Sequence, residues 1–364
     1  ATAMTRVHEQ DEVTRREIPA ARLAAIGWLV LVLIVAGMSA WEWKMRSLGL
    51  RAGDLDDSKS HWAVERRKLA SGDHDGVAII GSSRILFDTN LDVWEEMMGL
   101  RPIQLALPGT NPRPHLKDLA ENSDFNGLLV VGVTPDIFFT DWPGIPLFAG
   151  LTEFWKEESP SQRFGHLVGL ELSRHLAFLD DAYRLGPLID RAVPLEDRPG
   201  VRGPQRDVWK IAEVLDGRQT TLWSRIVADE RLREHARWVW GPFNGEPRIE
   251  VADAERIIQE TRRHVDMIRA RGGEVVFVRS PSAGLYLESE RQSAPRARTW
   301  DRLLAVTGAY GIHFEDHASM RGLEVPEWSH LSADSQPKFT RAYVELLMRD
   351  VTWLREHPAR EAGT

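Results

Sequence analysis

Two short segments, far apart along the chain, carry residues that could share one reaction. Gly81-Ser82-Ser83 directly follows the apolar run 76–80, and Glu327-Trp328-Ser329-His330 stands shortly before the last amphipathic segment. A serine hydroxyl is a weak nucleophile that needs a base, a histidine can be that base, and a carboxylate can orient the imidazole. We therefore expect Ser83, His330 and Glu327 to carry nucleophilic chemistry.

A nucleophilic serine also needs hydrogen-bond donors for the oxygen that becomes negative in the transition state. Gly109 follows the second apolar run, and a glycine there lets a backbone N–H approach that oxygen. Thr134 follows the third run and can donate through its hydroxyl, while Asn111 can donate from the neighbouring turn. These three residues are the predicted oxyanion hole.

The segments between these residues alternate between strand and helix patterns. Five short apolar runs predict strands: 76–80, 103–107, 127–133, 274–279 and 311–315. Helical patterns stand at 91–98, 114–121, 257–268 and 339–347. Continuous Val/Ile/Leu runs are typical of strands buried on both faces, so the pattern predicts an α/β domain with a mainly parallel sheet. Ligands bind beyond the carboxyl ends of such strands, where the residues above should meet.

Residues 140–250 interrupt this alternation. They are rich in Trp, Leu, Arg and Pro, and we find no clear strand pattern in them. The sequence predicts a helical insertion that adds no strand to the central sheet and packs at its ligand-binding edge or forms a cap. Indoles are favoured at protein interfaces, and the insertion carries six of them: Trp142, Trp155, Trp209, Trp223, Trp238 and Trp240.

A membrane anchor is predicted near the N-terminus. The 19 residues from Leu23 to Trp41 carry no charge, and as a helix they span about 28 Å, enough for a bilayer core. Trp41 and Trp43 stand where the helix would reach the membrane interface. The alternative is a cleaved signal peptide. The predicted organisation along the chain is a polar tail (1–22), the helix (23–41), a juxtamembrane stalk (42–75) with a helix near 61–69, the α/β domain (76–355) and a polar tail (356–364).

Charge does not decide the orientation of this anchor. Four basic residues precede it and four follow it: Arg6, Arg15, Arg16 and Arg22, then Lys44, Arg46, Arg51 and Lys59. A short tail before a single anchor favours the N-terminus inside and the domain outside. We expect a single-pass protein of a bacterial inner membrane, with a periplasmic domain and the lipid bilayer as its first partner.

Composition excludes several classes of function. With 46 basic and 54 acidic residues the net charge is −8, which argues against a nucleic-acid partner. The chain has no cysteine, so disulfides, Cys-zinc sites, iron–sulfur clusters and thiol catalysis are excluded. No phosphate loop or dinucleotide glycine motif is present, and we predict no cofactor. A zinc site at His313, Glu315 and His317, which alternate as strand neighbours do, is a less favoured alternative.

The order of these motifs resembles the SGNH (GDSL-type) hydrolase family over about residues 76–139 and 250–350. That family places its serine after the first strand in Gly-Asp-Ser, and here Gly81-Ser82-Ser83 has serine in the place of aspartate. Its catalytic histidine lies in Asp-x-x-His, and here Glu327 replaces the aspartate before His330. Gly109 matches the oxyanion glycine. The family's oxyanion asparagine, in Gly-x-Asn-Asp, is replaced by Thr134.

This resemblance implies a three-layer, flavodoxin-like SGNH-hydrolase fold and a Ser-His-Glu site. The sequences Gly-Ser-Ser-Arg, Leu-Pro-Gly-Thr and His-Leu-Ser are similar to those of membrane-anchored relatives near acyltransferases for exopolysaccharide or cell-wall polymers. The implied function is that of an esterase or O-acyltransferase, with a polysaccharide or an acyl donor as substrate. The alternative is a non-catalytic scaffold with a membrane-embedded protein partner, in a larger complex such as a photosynthetic or respiratory assembly.

Overall fold

The computed structural model describes residues 20–70, 76–141, 147–192, 208–241 and 251–357. Most of both polar tails, and Trp142 of the insertion, lie outside these ranges. The chain divides into two compact units, Ala1–Arg51 and Ala52–Thr364.

The first unit contains one long helix, α1 (Ala20–Ser47). Its 28 residues include the whole predicted segment 23–41 and extend beyond it at both ends. Mean hydropathy reaches 2.4 over the most apolar part, and these side chains are not buried by the protein. The helix is long and apolar enough to cross a membrane, as the sequence predicts.

Seven strands are found in the described part of the second unit: β1 (Val77–Ile80), β2 (Ile103–Gln104), β3 (Leu128–Gly132), β4 (Ala212–Leu215), β5 (Gln219–Leu222), β6 (Glu274–Arg279) and β7 (Tyr310–His313). Five of them form one sheet in the order β2-β1-β3-β6-β7, and every pair in it is parallel. Numbered along the chain, this is the 2-1-3-4-5 order of doubly wound sheets. The predicted α/β class with a mainly parallel sheet is confirmed.

The described helices of the second unit are α2 (Lys59–Ala70), α3 (Ser83–Asp88), α4 (Leu91–Met98), α5 (Arg113–Glu121), α6 (Pro135–Phe138), α7 (Leu147–Glu157), α8 (Pro160–Ser173), α9 (Leu185–Ala192), α10 (Ser224–Ala228), α11 (Glu230–Trp240), α12 (Val251–Arg269), α13 (Gly284–Ser293), α14 (Trp300–Thr307), α15 (Gln336–Asp350) and α16 (Thr352–Glu356). Short 3₁₀ helices occur at Ala177–Leu179, Asp181–Tyr183, Asp216–Arg218, Arg296–Arg298, Phe314–Asp316 and Ala318–Met320.

The core lies on both faces of the parallel sheet, because every residue of β1 and β3 is buried. Ala78 and Ile80 of β1 join one apolar cluster with residues of α5, α12 and α14. Val77 and Ile79 point to the opposite face, since side chains alternate along a strand, and they are buried as well. Continuous apolar strands thus result from burial on both sides, as their composition predicts.

A switch point of the sheet lies at β1 and β3. The chain runs from β1 outward to β2 and then returns to β3 on the other side of β1. Ligand crevices of doubly wound sheets open at such a point, beyond the carboxyl ends of the strands. Ser83 follows β1 and Thr134 follows β3, so both stand at this crevice.

Gly132 allows α3 to pack closely at this position. A Cβ atom at Gly132 would lie 2.4 Å from the Cβ atom of Ile85, which is in α3. Glycine is therefore required for α3, which begins with Ser83, to reach the end of β3.

The insertion differs from its prediction in one respect. Its described residues contain an antiparallel hairpin, β4 paired with β5, besides five helices. The hairpin forms a separate two-stranded sheet, and no described residue of 140–250 joins the central sheet. The sequence shows no clear pattern for this hairpin, whereas the prediction that the insertion adds no strand to the central sheet holds for its described residues. The overlooked signal is Asp216-Gly217, a common hairpin turn, in which Gly217 has a left-handed φ of 68°.

The segment predicted as a stalk is structured from Ala52 onward. The second compact unit begins at Ala52, which is 24 residues before the predicted domain start at residue 76. The predicted helix near 61–69 is present as α2, with Trp62, Ala63 and Leu69 buried. The Trp62 indole donates a hydrogen bond to the carbonyl of Leu105, 3.3 Å away. The sequence does not predict these contacts, because α2 is mostly polar and has few apolar positions.

Candidate active site

Glu327 and His330 form a close, buried pair just before α15. The Nδ1 atom of His330 lies 3.0 Å from Oε1 of Glu327, and the backbone N–H of His330 donates to the same oxygen at 2.5 Å. An ionised carboxylate only accepts hydrogen bonds, so Nδ1 carries a proton, and the lone pair of the neutral imidazole is then on Nε2. Nε2 is buried and has no hydrogen-bond partner among the described residues. The ring is therefore oriented as a general base.

The turn between these two residues is strained. Trp328 has a φ of 74°, a left-handed conformation that is uncommon for a bulky residue. Its backbone oxygen accepts a hydrogen bond from the N–H of Ala283 at 3.0 Å. Its indole occupies the space of a side chain at Gly284, where a Cβ atom would lie 2.4 Å from Nε1. The surrounding contacts hold the Glu-x-x-His segment in a conformation that it would not adopt alone.

Helix α11 of the insertion covers the same loop. The Trp240 indole N–H donates a hydrogen bond to Oε2 of Glu327. The Arg237 guanidinium donates twice to the carbonyl of Pro326, at 3.0 and 2.6 Å. Glu327 is thereby bonded on both oxygens, and His330 and Glu327 are only 2% and 0% exposed. Helix α11 thus packs against the Glu-x-x-His loop. Packing at the ligand-binding edge of the sheet is one of the two placements predicted for the insertion.

Ser83 is the first residue of α3 and is partly exposed. Phe87 lies one helical turn later, on the same face, and its ring stacks on the imidazole of His330 with 4.2 Å between ring centres. The histidine ring thus packs against α3, the helix that begins with Ser83, although the two residues are 247 positions apart in sequence. No hydrogen bond joins Ser83 to His330 Nε2 in this conformation. Catalytic hydrogen bonds often form only once a substrate is bound.

Two of the three predicted oxyanion donors have other partners. The Thr134 hydroxyl lies 2.5 Å from that of Ser82. The Asn111 side-chain amide donates to the carbonyls of Ile137 and Thr140, at 2.9 and 3.4 Å. Gly109 adopts the left-handed turn expected after β2, with a φ of 60°. Its backbone N–H is thus the remaining predicted donor.

A buried ionic cluster, which the sequence did not indicate, lies behind Ser83. Arg84 donates to Glu290 at 2.6 Å, and Arg279, at the end of β6, donates to the other oxygen of Glu290 at 2.6 Å. Burial raises the pKa of Glu290, but the two guanidinium groups outweigh burial and hold that pKa below its usual value. The cluster fixes Arg84, and through it the start of α3, to the ends of β6 and α13.

Asp88, the last residue of α3, connects that helix to the histidine loop. It is fully buried, and its Oδ1 accepts a hydrogen bond from the backbone N–H of Leu331 at 2.9 Å. Burial raises the pKa of Asp88 well above its usual value, since the charged form of a fully buried carboxyl is disfavoured. Because Leu331 directly follows His330, Asp88 positions the histidine relative to the helix that carries Ser83.

The alternative zinc site does not assemble in the described structure. His313 ends β7, and its Nδ1 accepts a hydrogen bond from the backbone N–H of Glu315 at 3.2 Å. Burial and nearby arginines lower the pKa of His313 to about 3. Across the described ranges no group of three or more His, Asp or Glu side chains is arranged to hold a metal ion.

No family model matches the chain, and the curated proteins gave no significant match. The functional argument therefore depends on the geometry described above.

Proposed function

We propose that the chain is a membrane-anchored serine esterase or O-acyltransferase. The observation that carries this proposal is the Glu327–His330 pair, whose imidazole is hydrogen-bonded at Nδ1 and has a buried, unpartnered Nε2. An Nε2 with no protein partner is the atom that a general base needs in order to take a proton. Ser83 follows β1 at the switch point where doubly wound sheets bind ligands, and His330 packs on Phe87 of the helix that Ser83 begins.

In the proposed reaction, the Ser83 hydroxyl oxygen attacks an ester carbonyl while His330 Nε2 takes the hydroxyl proton. The carbonyl oxygen becomes negative and receives a hydrogen bond from the backbone N–H at Gly109, and Glu327 stabilises the imidazolium. Collapse of this intermediate expels the alcohol, which takes the proton from His330, and leaves an ester on Ser83. Water or a polymer hydroxyl then attacks that ester with His330 as base. An acyl carrier or envelope polymer outside a bacterial inner membrane is the substrate class that fits an anchored domain.

Labelling with an alkyl fluorophosphonate, which reacts with activated serines, tests this function in the full chain in detergent. We expect one adduct, located on Ser83 by peptide mass spectrometry. Ser83→Ala should abolish labelling, and His330→Ala should slow it by a factor on the order of 10³. Ser161→Ala, at an exposed serine of α8, is the matched control and should label like the wild type.

A scaffold without catalytic activity is the second candidate, and a specific observation favours it. The Ser82–Thr134 hydrogen bond and the Asn111 contacts engage two predicted oxyanion donors, and Trp240 covers Glu327. In this proposal the site residues stabilise a domain that binds a membrane-embedded protein partner. Absence of any Ser83 adduct in the folded wild-type protein would support the scaffold over the enzyme.

A further inference from the structure

Helix α8 presents an apolar row to solvent. Phe164, Leu167, Val168 and Leu172 are 69%, 59%, 43% and 48% exposed, and their spacing places them on one face of the helix. The opposite face packs toward α2, where the ring of His166 lies 5.9 Å from that of His61. Large apolar side chains that are exposed together on one helix face are typical of a surface that contacts a protein partner or a membrane.

The chain itself limits how far this helix can be from the membrane anchor. The backbone N–H of Gly53 donates a hydrogen bond to the carbonyl of Ser173, the last residue of α8, at 2.8 Å. Only five residues lie between Ser47, where α1 ends, and Gly53, and the six Cα–Cα steps span at most about 20 Å. Trp41 and Trp43, which favour the membrane interface, stand in the last two turns of α1.

The charges beside the apolar row suit a headgroup region. Arg163 and Arg174 stand near the two ends of the row, and their side chains are 50% and 43% exposed. Each also forms an ion pair, Arg163 with Glu158 at 3.3 Å and Arg174 with Asp216 at 2.8 Å. Glu171 lies among the apolar residues, but it is paired with Arg174 at 2.8 Å and with His175 at 3.1 Å. A helix with an apolar face and flanking basic residues is typical of interfacial helices that lie along a bilayer.

We propose that the outer face of α8 inserts into the headgroup–acyl boundary of the bilayer that α1 enters. The domain is then held at the membrane at two places, by the anchor and by α8. A lipid surface accounts for the row better than a second copy of the chain does, because the short connection brings every copy to within reach of lipid. This proposal is independent of the proposed activity.

Single-cysteine labelling tests this docking, because the chain has no cysteine of its own. Val168→Cys on α8 and Met348→Cys on α15, where Met348 is 42% exposed, would each receive a bimane label. The full-length variants are reconstituted at low density into phosphatidylethanolamine–phosphatidylglycerol vesicles, with and without lipids that carry a nitroxide near the headgroup. We expect the lipid nitroxide to quench the label at position 168 at least twofold and aqueous iodide to quench it little. The control at position 348 should show the reverse.

Three outcomes would overturn the proposal. Iodide quenching of position 168 equal to that of the control means that α8 faces water. Protection from both quenchers means that protein, such as a second copy, covers the row. The third concerns Leu167→Gln/Leu172→Gln in the Val168→Cys background, which alters only exposed side chains and should keep the melting temperature. Lipid quenching that persists undiminished in this variant would show that the apolar row is not what holds α8 at the membrane.

Discussion

Glu327 accepts two hydrogen bonds from His330 through a single oxygen, one from the backbone N–H and one from Nδ1. The backbone bond fixes the position of the carboxylate, and the side-chain bond fixes the tautomer and rotation of the imidazole. The second oxygen of Glu327 is bonded to Trp240. This arrangement sets the direction of the Nε2 lone pair before any substrate is present, which is the role of the carboxylate in a serine triad.

Glu327→Gln should therefore slow fluorophosphonate labelling of Ser83 by a factor on the order of 10² or more. A glutamine keeps an oxygen for the two His330 donors only if its NH2 group faces the Trp240 N–H, and it lacks the negative charge that stabilises the imidazolium. Circular dichroism should show that the variant folds, because the side chain keeps its size. Glu324→Gln, at an exposed position of the same loop, is the control and should label at the wild-type rate. Equal rates for both variants would contradict the role given to Glu327.

Gly132→Ala should destabilise the domain and lower Ser83 reactivity together. The added Cβ would lie 2.4 Å from the Cβ of Ile85, so α3 must shift, and overpacking of this kind typically costs about 1–3 kcal/mol. Gly150→Ala is the matched control, because a Cβ in that helix meets nothing within 4 Å. Melting temperature and labelling rate are measured for both. A Gly132→Ala protein with wild-type values would mean that α3 does not need this close approach.

The sequence predicts the sheet and the Glu-x-x-His pair because both depend on local patterns. Buried parallel strands are continuous apolar runs, and Glu327 and His330 are only three residues apart. The Arg84–Glu290 pair joins residues 206 positions apart, and Trp240 reaches Glu327 across 87 positions. Neither contact leaves a periodic signal.

The sequence shows that the insertion is rich in tryptophan, but not what each indole contacts. Trp223 is buried, and the Trp240 indole donates to Glu327, so these two indoles make contacts within the domain. Trp209 and Trp238 are 42% and 52% exposed. The sequence does not predict that the apolar row of α8 is exposed, because its residues have the spacing of ordinary core residues: Phe164, Leu167, Val168 and Leu172. Sequence periodicity identifies a face, but not whether protein, lipid or water covers it.

Asp88→Asn should keep the fold, whereas Asp88→Ala should cost about 1–3 kcal/mol. Burial raises the pKa of Asp88, so asparagine reproduces the neutral side chain and its bond to Leu331. A carboxyl with a raised pKa in the folded state contributes stability at low pH that is lost as pH rises through that pKa. Melting temperatures between pH 5 and 9 should therefore fall less on the alkaline side for Asp88→Asn than for the wild type. An equal fall in melting temperature for the wild type and for Asp88→Asn would contradict a raised pKa of Asp88.

Asp56 makes a second pH-dependent contribution, beside a cavity of about 570 Å³ that Asp54, Trp62, Pro108 and Lys210 also line. Burial and the nearby carboxylates of Asp181, Asp57 and Asp180 raise the pKa of Asp56 to about 6, although Arg184 opposes them. The folded protein thus binds this proton more tightly than the unfolded chain, whose aspartates titrate near pH 3.9. The resulting stability is full below that pH and is lost as pH rises through about 6.

The melting temperature of Asp56→Asn should therefore equal that of the wild type near pH 4 and exceed it at pH 7.5. At the higher pH only the wild type carries a charge at position 56 that the nearby carboxylates repel. The side chain is partly exposed, so salt should reduce the difference. Asp141→Asn provides a control of opposite sign, since a hydrogen bond from Arg256 lowers the pKa of Asp141. Loss of the Asp141 charge should leave the melting temperature unchanged at low pH and lower it slightly at pH 7.5. Calorimetry of the three proteins at both pH values checks the signs, and a parallel shift of both variants would refute the assignment of a raised pKa to Asp56.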